Sequence, residues 1–116
     1  MDITVTEVNE ATVLKLSGRL DLASGSDLKH RVKELFDKDY NSFHFNMCDI
    51  EFVNSSGLGT LVSIMKEVRL RKGRLTLSDL ASYVQEIFDI TQLSHIFEIY
   101  GTQAEALSSY KTTSVG

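Results

Sequence analysis

A chain of 116 residues is long enough for one ordinary domain with a single core. Its apolar fraction of 42% and charged fraction of 24% are typical of a globular protein, and its net charge of −4 argues against nucleic acid as the main partner. One cysteine, Cys48, excludes an internal disulfide and a multi-cysteine metal site. No apolar run approaches the roughly 20 residues of a membrane span, so we expect a cytoplasmic protein without a membrane partner.

The first 18 residues predict a β-hairpin. Ile3 and Val5 alternate with threonines in the period-2 pattern of a half-buried strand. Asn9 and Glu10 favour a turn, and residues 13–18 predict a second strand that ends at Ser17-Gly18. A loop of about four residues would join the two strands antiparallel.

The next segment predicts a connection and then the first helix. Residues 19–23 are interpreted as the connection, with Ser24 or Ser26 as the residue that caps the helix. The apolar residues that follow recur at helical spacing and define one buried face, formed by Leu28, Val32, Leu35 and Phe36.

The middle of the chain predicts a strand, a polar turn and the clearest helix of the sequence. Phe43, Phe45 and Met47 alternate as in a strand, and residues 49–53 lead into the turn. The helix after the turn ends in basic residues followed by Gly73, which we interpret as its C-terminal capping glycine. Its apolar stripe is formed by Leu58, Leu61, Val62, Met65 and Val68.

The remaining residues predict a short strand at 75–77, a helix around 84–88, a last strand at 96–99 and a helix that begins at the capping box of Thr102 and Glu105. Residues 111–116 are expected to form an irregular tail. The resulting order, β-β-α-β-α-β-α-β-α, predicts a single α/β domain over residues 1–116. Its sheet is mixed but mostly parallel, with about five strands and about four helices.

The turn at residues 54–59, with sequence NSSGLG, lies where a strand end meets a helix start. In parallel sheets, ligand and partner sites gather at such points, and the connection near residues 18–24 is another. The turn lacks the lysine of a phosphate-binding loop and the Gly-x-Ser-x-Gly of a nucleophile elbow. From the pattern alone it is a helix start capped by Asn54 or Ser55, whose glycines permit close packing.

Nothing in the sequence completes a catalytic or metal site. The histidines, His30, His44 and His95, lie far apart and are interpreted as surface or partly buried structural residues. Cys48 is expected to pack as a small apolar residue. We therefore expect neither enzymatic activity nor a metal or other cofactor.

Three acidic residues near the two strand ends leave alternatives open. Asp21, Asp49 and Glu51 could cluster beside Ser55 and bind a divalent ion or repel phosphate. For Asp49 and Glu51 we favour the simpler interpretation that they solvate a loop.

Residues 52–59, with sequence FVNSSGLG, resemble the signature of bacterial anti-sigma-factor antagonists, the single-domain members of the STAS class (sulfate transporter and anti-sigma antagonist). Residues 16–21, LSGRLD, are similar to the family's strand end with its aspartate. Residues 84–93, VQEIFDITQL, resemble one of its helices. The resemblance covers roughly residues 3–110 and implies the STAS fold.

The resemblance also implies a function. The protein would bind an anti-sigma factor that is a serine kinase, release the sigma factor, and be switched off by phosphorylation of Ser55, which a phosphatase reverses. The implied partner-binding residues are Asp21, Asn54, Ser55, Ser56, Gly57 and Leu58. An alternative is an accessory or scaffold STAS module of a stress-signalling or lipid-transport complex.

The sequence departs from the family pattern at Asn54, where the family usually has aspartate immediately before the first serine. Asparagine retains the ability to cap a helix but carries no charge. We therefore expect the change to affect kinase recognition or the repulsion felt by a phosphoserine at position 55.

Overall fold

The computed structural model describes residues 1–110, which form one five-stranded sheet with four α-helices and a 3-10 turn at Leu93–His95. β1 pairs antiparallel with β2 and the other pairs are parallel, so the predicted α/β fold with a mixed, mostly parallel sheet is confirmed. The strands are β1 Asp2–Val8, β2 Ala11–Leu20, β3 Ser42–Val53, β4 Arg74–Ser78 and β5 Glu98–Tyr100. The helices are α1 Leu22–Asp37, α2 Ser55–Leu70, α3 Ser82–Ile90 and α4 Gln103–Ser108.

The hairpin is tighter and its second strand longer than the sequence predicts. Asn9 and Glu10 alone join β1 to β2, with Asn9 in the left-handed region at φ 57°. β2 continues past Gly18 to Leu20, so residues 19 and 20 belong to the strand rather than to a connection. Register irregularities on both sides of Gly18, itself at φ 107°, bend the strand without ending it.

The main core lies between the sheet and the helices α1, α2 and α3. Both predicted helical faces are confirmed: their apolar residues are buried except Val62, which is partly buried and packs against the core. Phe36 of α1 packs edge-on against Phe43 of β3 at 5.5 Å. β3 is one continuous strand of 12 residues, so Asp49 and Glu51 lie in a strand and not in a loop.

The opposite face of the sheet is covered in part by α4. Leu107 and Tyr110 form a small buried cluster with Ala11 and Val13. Asn46 of β3 donates its side-chain amide to Gln103 of α4 at 2.7 Å. Cys48 lies two residues further along this face and is exposed, so the expectation that it packs in the interior is wrong.

Arg74 of β4 links the end of α4 to the sheet. Its guanidinium forms a two-pronged ion pair with Glu98, at 2.6 and 2.9 Å, and donates to the carbonyl oxygen of Ser109 at 2.9 Å. The same group lies 4.4 Å above the ring of Tyr110. The pair with Glu98 lowers the pKa of that carboxyl.

The end of α2 differs from the prediction. Lys72, at φ 58°, and not Gly73, adopts the left-handed conformation after the helix. Glycine is required at position 73 for another reason: a Cβ there would overlap the backbone carbonyl oxygen of Asn41. The glycine permits a close approach between two chain segments.

Residues 1–110 contain no helix that is both long enough and apolar enough to cross a membrane. The predicted tail at 111–116 lies outside the described residues, and one domain over 1–116 therefore stays a prediction.

His44 is completely buried, so the prediction that it lies on the surface or is only partly buried is wrong. Its ring nitrogens contact Thr76 Oγ1 at 2.7 Å and Ser78 Oγ at 2.8 Å on the neighbouring strand. Thr76 in turn contacts the hydroxyl of Tyr110, which donates to the carbonyl oxygen of Phe43 at 2.6 Å. Burial lowers the pKa of His44 to about 4.

This burial predicts a loss of stability in mild acid. The unfolded chain binds a proton at His44 near pH 6.5, whereas the folded protein binds it only near pH 4. Neutral His44 therefore does not lower the free energy of unfolding above pH 6.5, and the stability of the fold declines as the pH falls below that value. At about 1.4 kcal/mol per pH unit, the free energy of unfolding should fall by about 2–3 kcal/mol between pH 6.5 and 4.5. Urea unfolding across this range measures the slope.

The matched control replaces an exposed histidine, His30, by the same residue that replaces the buried His44. His30→Gln should keep the acid slope, because His30 lies on the surface of α1, whereas His44→Gln should lose most of it. Equal slopes in the wild type and His44→Gln would contradict the assignment.

Candidate functional site

Two helix starts lie side by side at the carboxyl edge of the sheet. β2 and β3 pair in parallel with Leu20 opposite Val53, so the next residues, Asp21 and Asn54, begin α1 and α2 at neighbouring positions. The backbone N–H of Asn54 donates to the carbonyl oxygen of Leu20 at 3.2 Å. The two connections that the sequence singles out as candidate sites therefore meet at one edge.

Of the two caps that the sequence predicts, Asn54 or Ser55, Asn54 is the N-cap of α2. Its side-chain oxygen accepts a hydrogen bond from the N–H of Gly57 at 2.9 Å. This bond satisfies one of the N–H groups that a helix start leaves without an acceptor. Asparagine thus performs the capping role that an aspartate would perform, without the negative charge.

α1 begins earlier than the sequence predicts, and its cap is Asp21 rather than Ser24 or Ser26. Asp21 accepts from the N–H of Ser24 at 3.1 Å, while the Ser24 hydroxyl accepts from the N–H of Asp21 at 3.0 Å. These reciprocal bonds form a capping box, which outcompetes a start at Ser24 because it satisfies two backbone donors. Hydrogen bonds from Ser24 lower the pKa of the Asp21 carboxyl, so it is ionised at neutral pH.

Two glycines allow close approaches at the helix starts, one between α2 and the end of β2 and the other between α1 and α2. A Cβ at Gly57 would overlap the carbonyl oxygen of Leu20, and one at Gly25 would come within 2.6 Å of the Thr60 hydroxyl. Gly59 has open space around it, so the expectation that both glycines of the turn serve close packing holds for Gly57 alone.

Ser55 and Ser56 occupy the first turn of α2 and are both exposed, whereas Gly57 and Leu58 are buried. The two serine hydroxyls are therefore accessible, and the two buried residues hold the turn in place from within. We call Asp21, Asn54, Ser55 and Ser56 the helix-start surface.

The groups that catalysis or metal binding would need do not gather here. Asp49 pairs with Lys15 at 3.7 Å. Within residues 1–110, no group of three or more histidine, cysteine or acidic side chains could hold a metal ion. His44 is bonded to Thr76 and Ser78, and His30 lies beside Glu34 at 4.0 Å.

Sequence reasoning missed three neighbours of this surface. Arg19 places its guanidinium 3.9 Å above the ring of Phe52 and 4.0 Å from the Asp21 carboxylate. Tyr83, at the start of α3, is 39% exposed; burial raises the pKa of its hydroxyl, and the charge of Glu51 raises it further. Leu22, directly after Asp21, is 70% exposed. Recognising that β2 extends to Leu20 would have placed Arg19 and Leu22 beside the turn, whereas Tyr83 comes from α3, far along the chain.

The mixed sheet with two adjacent helix starts agrees with the family that the sequence matches. Residues 2–106 match the family model described as the STAS domain, and the chain belongs to this family.

Within this family, the chain resembles bacterial anti-sigma-factor antagonists. It is 25% identical over 99 residues to the anti-sigma-B factor antagonist of Bacillus subtilis, covering 85% of this chain and 90% of that one. The crystal structure of TM1081 from Thermotoga maritima superimposes with a TM-score of 0.87 at 25% identity, covering 93% of both chains. The Bacillus cell fate determinant SpoIIAA in its phosphorylated form gives a TM-score of 0.73 at 20% identity, over 95% of this chain and 100% of that one.

The two glycines of the turn give a paired prediction. Gly57→Ala should destabilise the protein by about 3 kcal/mol, because the added methyl group meets a backbone carbonyl that cannot move without displacing β2. Gly59→Ala should stabilise it by about 0.5–1 kcal/mol, since it removes glycine's entropy cost from an exposed helical position. Urea unfolding of both variants measures the difference; effects of equal sign would contradict the assignment.

Proposed function

We propose that this protein binds an anti-sigma factor that is also a serine kinase, and so releases the sigma factor that the anti-sigma factor holds. Phosphorylation of Ser55 by the bound kinase switches the interaction off, and a phosphatase restores it. The protein itself catalyses no reaction. The residues of the helix-start surface contact the partner, while Gly57 and Leu58 keep the turn in its binding conformation.

The exposed hydroxyl of Ser55 is the observation that carries this proposal. It lies on the first turn of a helix, at the positive end of the helix dipole, where added negative charge is tolerated. SpoIIAA, which shares this fold, has been solved in unphosphorylated and phosphorylated forms. That precedent supports a fold that accommodates a phosphate.

The energetics favour a switch that acts on binding and leaves the fold intact. A phosphoserine carries about −1.5 to −2 charges, and a helix N-terminus stabilises such a charge by only about 0.3–1 kcal/mol. Burying the same charge unpaired in an interface costs several kcal/mol, and each 1.4 kcal/mol is a tenfold change in affinity. One modification can therefore abolish binding without unfolding the domain.

Asn54 modifies this mechanism without removing it. Its amide oxygen bonds to the N–H of Gly57, so the turn keeps its shape. A phosphate on Ser55 would lie beside this neutral cap and near the ionised Asp21 of the neighbouring helix. The charge at the surface is then set mainly by Asp21 and by the modification itself.

The site of modification can be tested by intact-mass measurement. Purified protein is incubated with each purified kinase-type anti-sigma factor of the source organism, ATP and Mg²⁺. We expect the wild type and Ser56→Ala to gain the mass of one phosphate and Ser55→Ala to gain none. Both variants should fold like the wild type, because both hydroxyls are exposed.

A phosphate found at Ser56 or elsewhere would overturn the site assignment. Absence of modification together with stable, ATP-insensitive copurification with a scaffold or transporter subunit would instead favour an accessory module.

The charge-exclusion mechanism predicts that Ser55→Asp weakens binding of the anti-sigma factor by at least about 100-fold, because an unpaired charge would be buried in the interface. Its melting temperature should stay within a few degrees of the wild-type value, since an acidic residue in the first helical turn is favourable. Titration calorimetry and thermal unfolding measure the two quantities. Ser55→Asn, of similar size but neutral, is the control, and binding of Ser55→Asp at wild-type affinity would contradict the mechanism.

A further inference from the structure

Leu22 is a large apolar residue that the core does not use. It is the first residue of α1 and is 70% exposed. Single exposed apolar residues are common and need no explanation on their own. Two others in residues 1–110 are at least as exposed, Leu70 at 79% and Ile90 at 77%, and both lie at the ends of their helices. Position, and not exposure, distinguishes Leu22.

Leu22 lies beside the serine that the proposed switch modifies. Leu20 pairs with Val53, so Leu22 and Ser55 occupy matching positions, each two residues beyond that pair. The two helices are in contact near their starts, between Gly25 in the first turn of α1 and Thr60 in the second turn of α2, and packed helices lie roughly 8–10 Å apart. A protein that covers Ser55 would therefore also reach the start of α1, where Leu22 is exposed.

The side chains next to Asp21, which precedes Leu22 in the chain, have the composition of a binding hot spot. Arg19 lies over Phe52, and the aromatic ring of Tyr83 is partly exposed nearby. Arginine and aromatic residues dominate the energetically important centres of interfaces. This group of side chains adjoins the helix-start surface on one side.

The charges of this group indicate the partner's chemistry. The carboxylate of Asp21 is engaged in the capping box with Ser24, and its contact with Arg19 is long, at 4.0 Å. The side chain of Arg19 is 61% exposed. A guanidinium so placed can still donate hydrogen bonds to an incoming carboxylate.

We infer that Leu22 is an apolar anchor for the anti-sigma factor, which presents an apolar pocket to Leu22 and a carboxylate to Arg19. This inference rests on the proposed function and adds to it the residues that hold the partner. Leu22 supplies affinity and Arg19 supplies charge complementarity, while Ser55 provides the control.

The test compares two exposed leucines, Leu22 at the start of α1 and Leu70 at the end of α2. Leu70 ends α2, about 22 Å along the helix from Ser55. Titration calorimetry with the purified anti-sigma factor that phosphorylates Ser55 should show binding weakened at least tenfold by Leu22→Ala and less than twofold by Leu70→Ala. Both variants should melt like the wild type, because neither side chain belongs to the core.

The proposed carboxylate of the anti-sigma factor is tested by replacing two arginines of this protein, Arg19 and Arg31. Arg19→Gln should weaken binding several-fold and make it less sensitive to salt, because a charge pair across the interface is lost. Arg31→Gln, which removes a charge from α1 nine residues beyond Leu22, should change neither quantity.

Failure of the inference is distinguishable from failure of the proposed function. Leu22→Ala binding within twofold of the wild type, while Ser55→Asp fails to bind, would overturn the anchor and leave the proposed function standing. If Arg19→Gln binds like the wild type at low and high salt, the inference that the partner presents a carboxylate to Arg19 is wrong. No binding of the wild type to any kinase-type anti-sigma factor would overturn both the function and the anchor.

Discussion

The parallel pairing of β2 with β3 is the constraint on which the site depends. The N–H of Asn54 bonds to the carbonyl oxygen of Leu20, and Gly57 lies so close to the same carbonyl that no side chain fits between them. One backbone oxygen thus fixes both the start of α2 and its distance from β2. Asp21 and Ser55 face the solvent together because of this single junction.

Periodicity predicted most of the fold because it reports directly which faces are buried. Residues 28–36 and 58–68 have helical spacing, and both faces are in the core. The cap of α1 was missed because Leu22 and Ala23 carry no periodic signal, and because β2 continues through an irregularity at Gly18 that no local pattern reveals. The capping box becomes apparent only once the strand end is known.

The candidate site was predictable in its centre and not at its margin. Asn54 and the two serines follow from local sequence, since capping is a local interaction. Arg19 and Tyr83 adjoin them through strand register and helix placement, which depend on residues far apart in the chain. The burial of His44 likewise required Thr76 and Ser78 from another strand to satisfy both ring nitrogens.

The junction at Leu20 also has a consequence for biosynthesis. Leu20 and Asn54 are separated in the chain by α1 and β3, so a parallel crossover must close before the N–H of Asn54 finds its acceptor. A nascent chain that has exposed only the hairpin and α1 carries Asp21 and Leu22 but lacks Asn54, Ser55 and Ser56. During synthesis the helix-start surface is therefore complete only after α2 has left the ribosome and the crossover has closed.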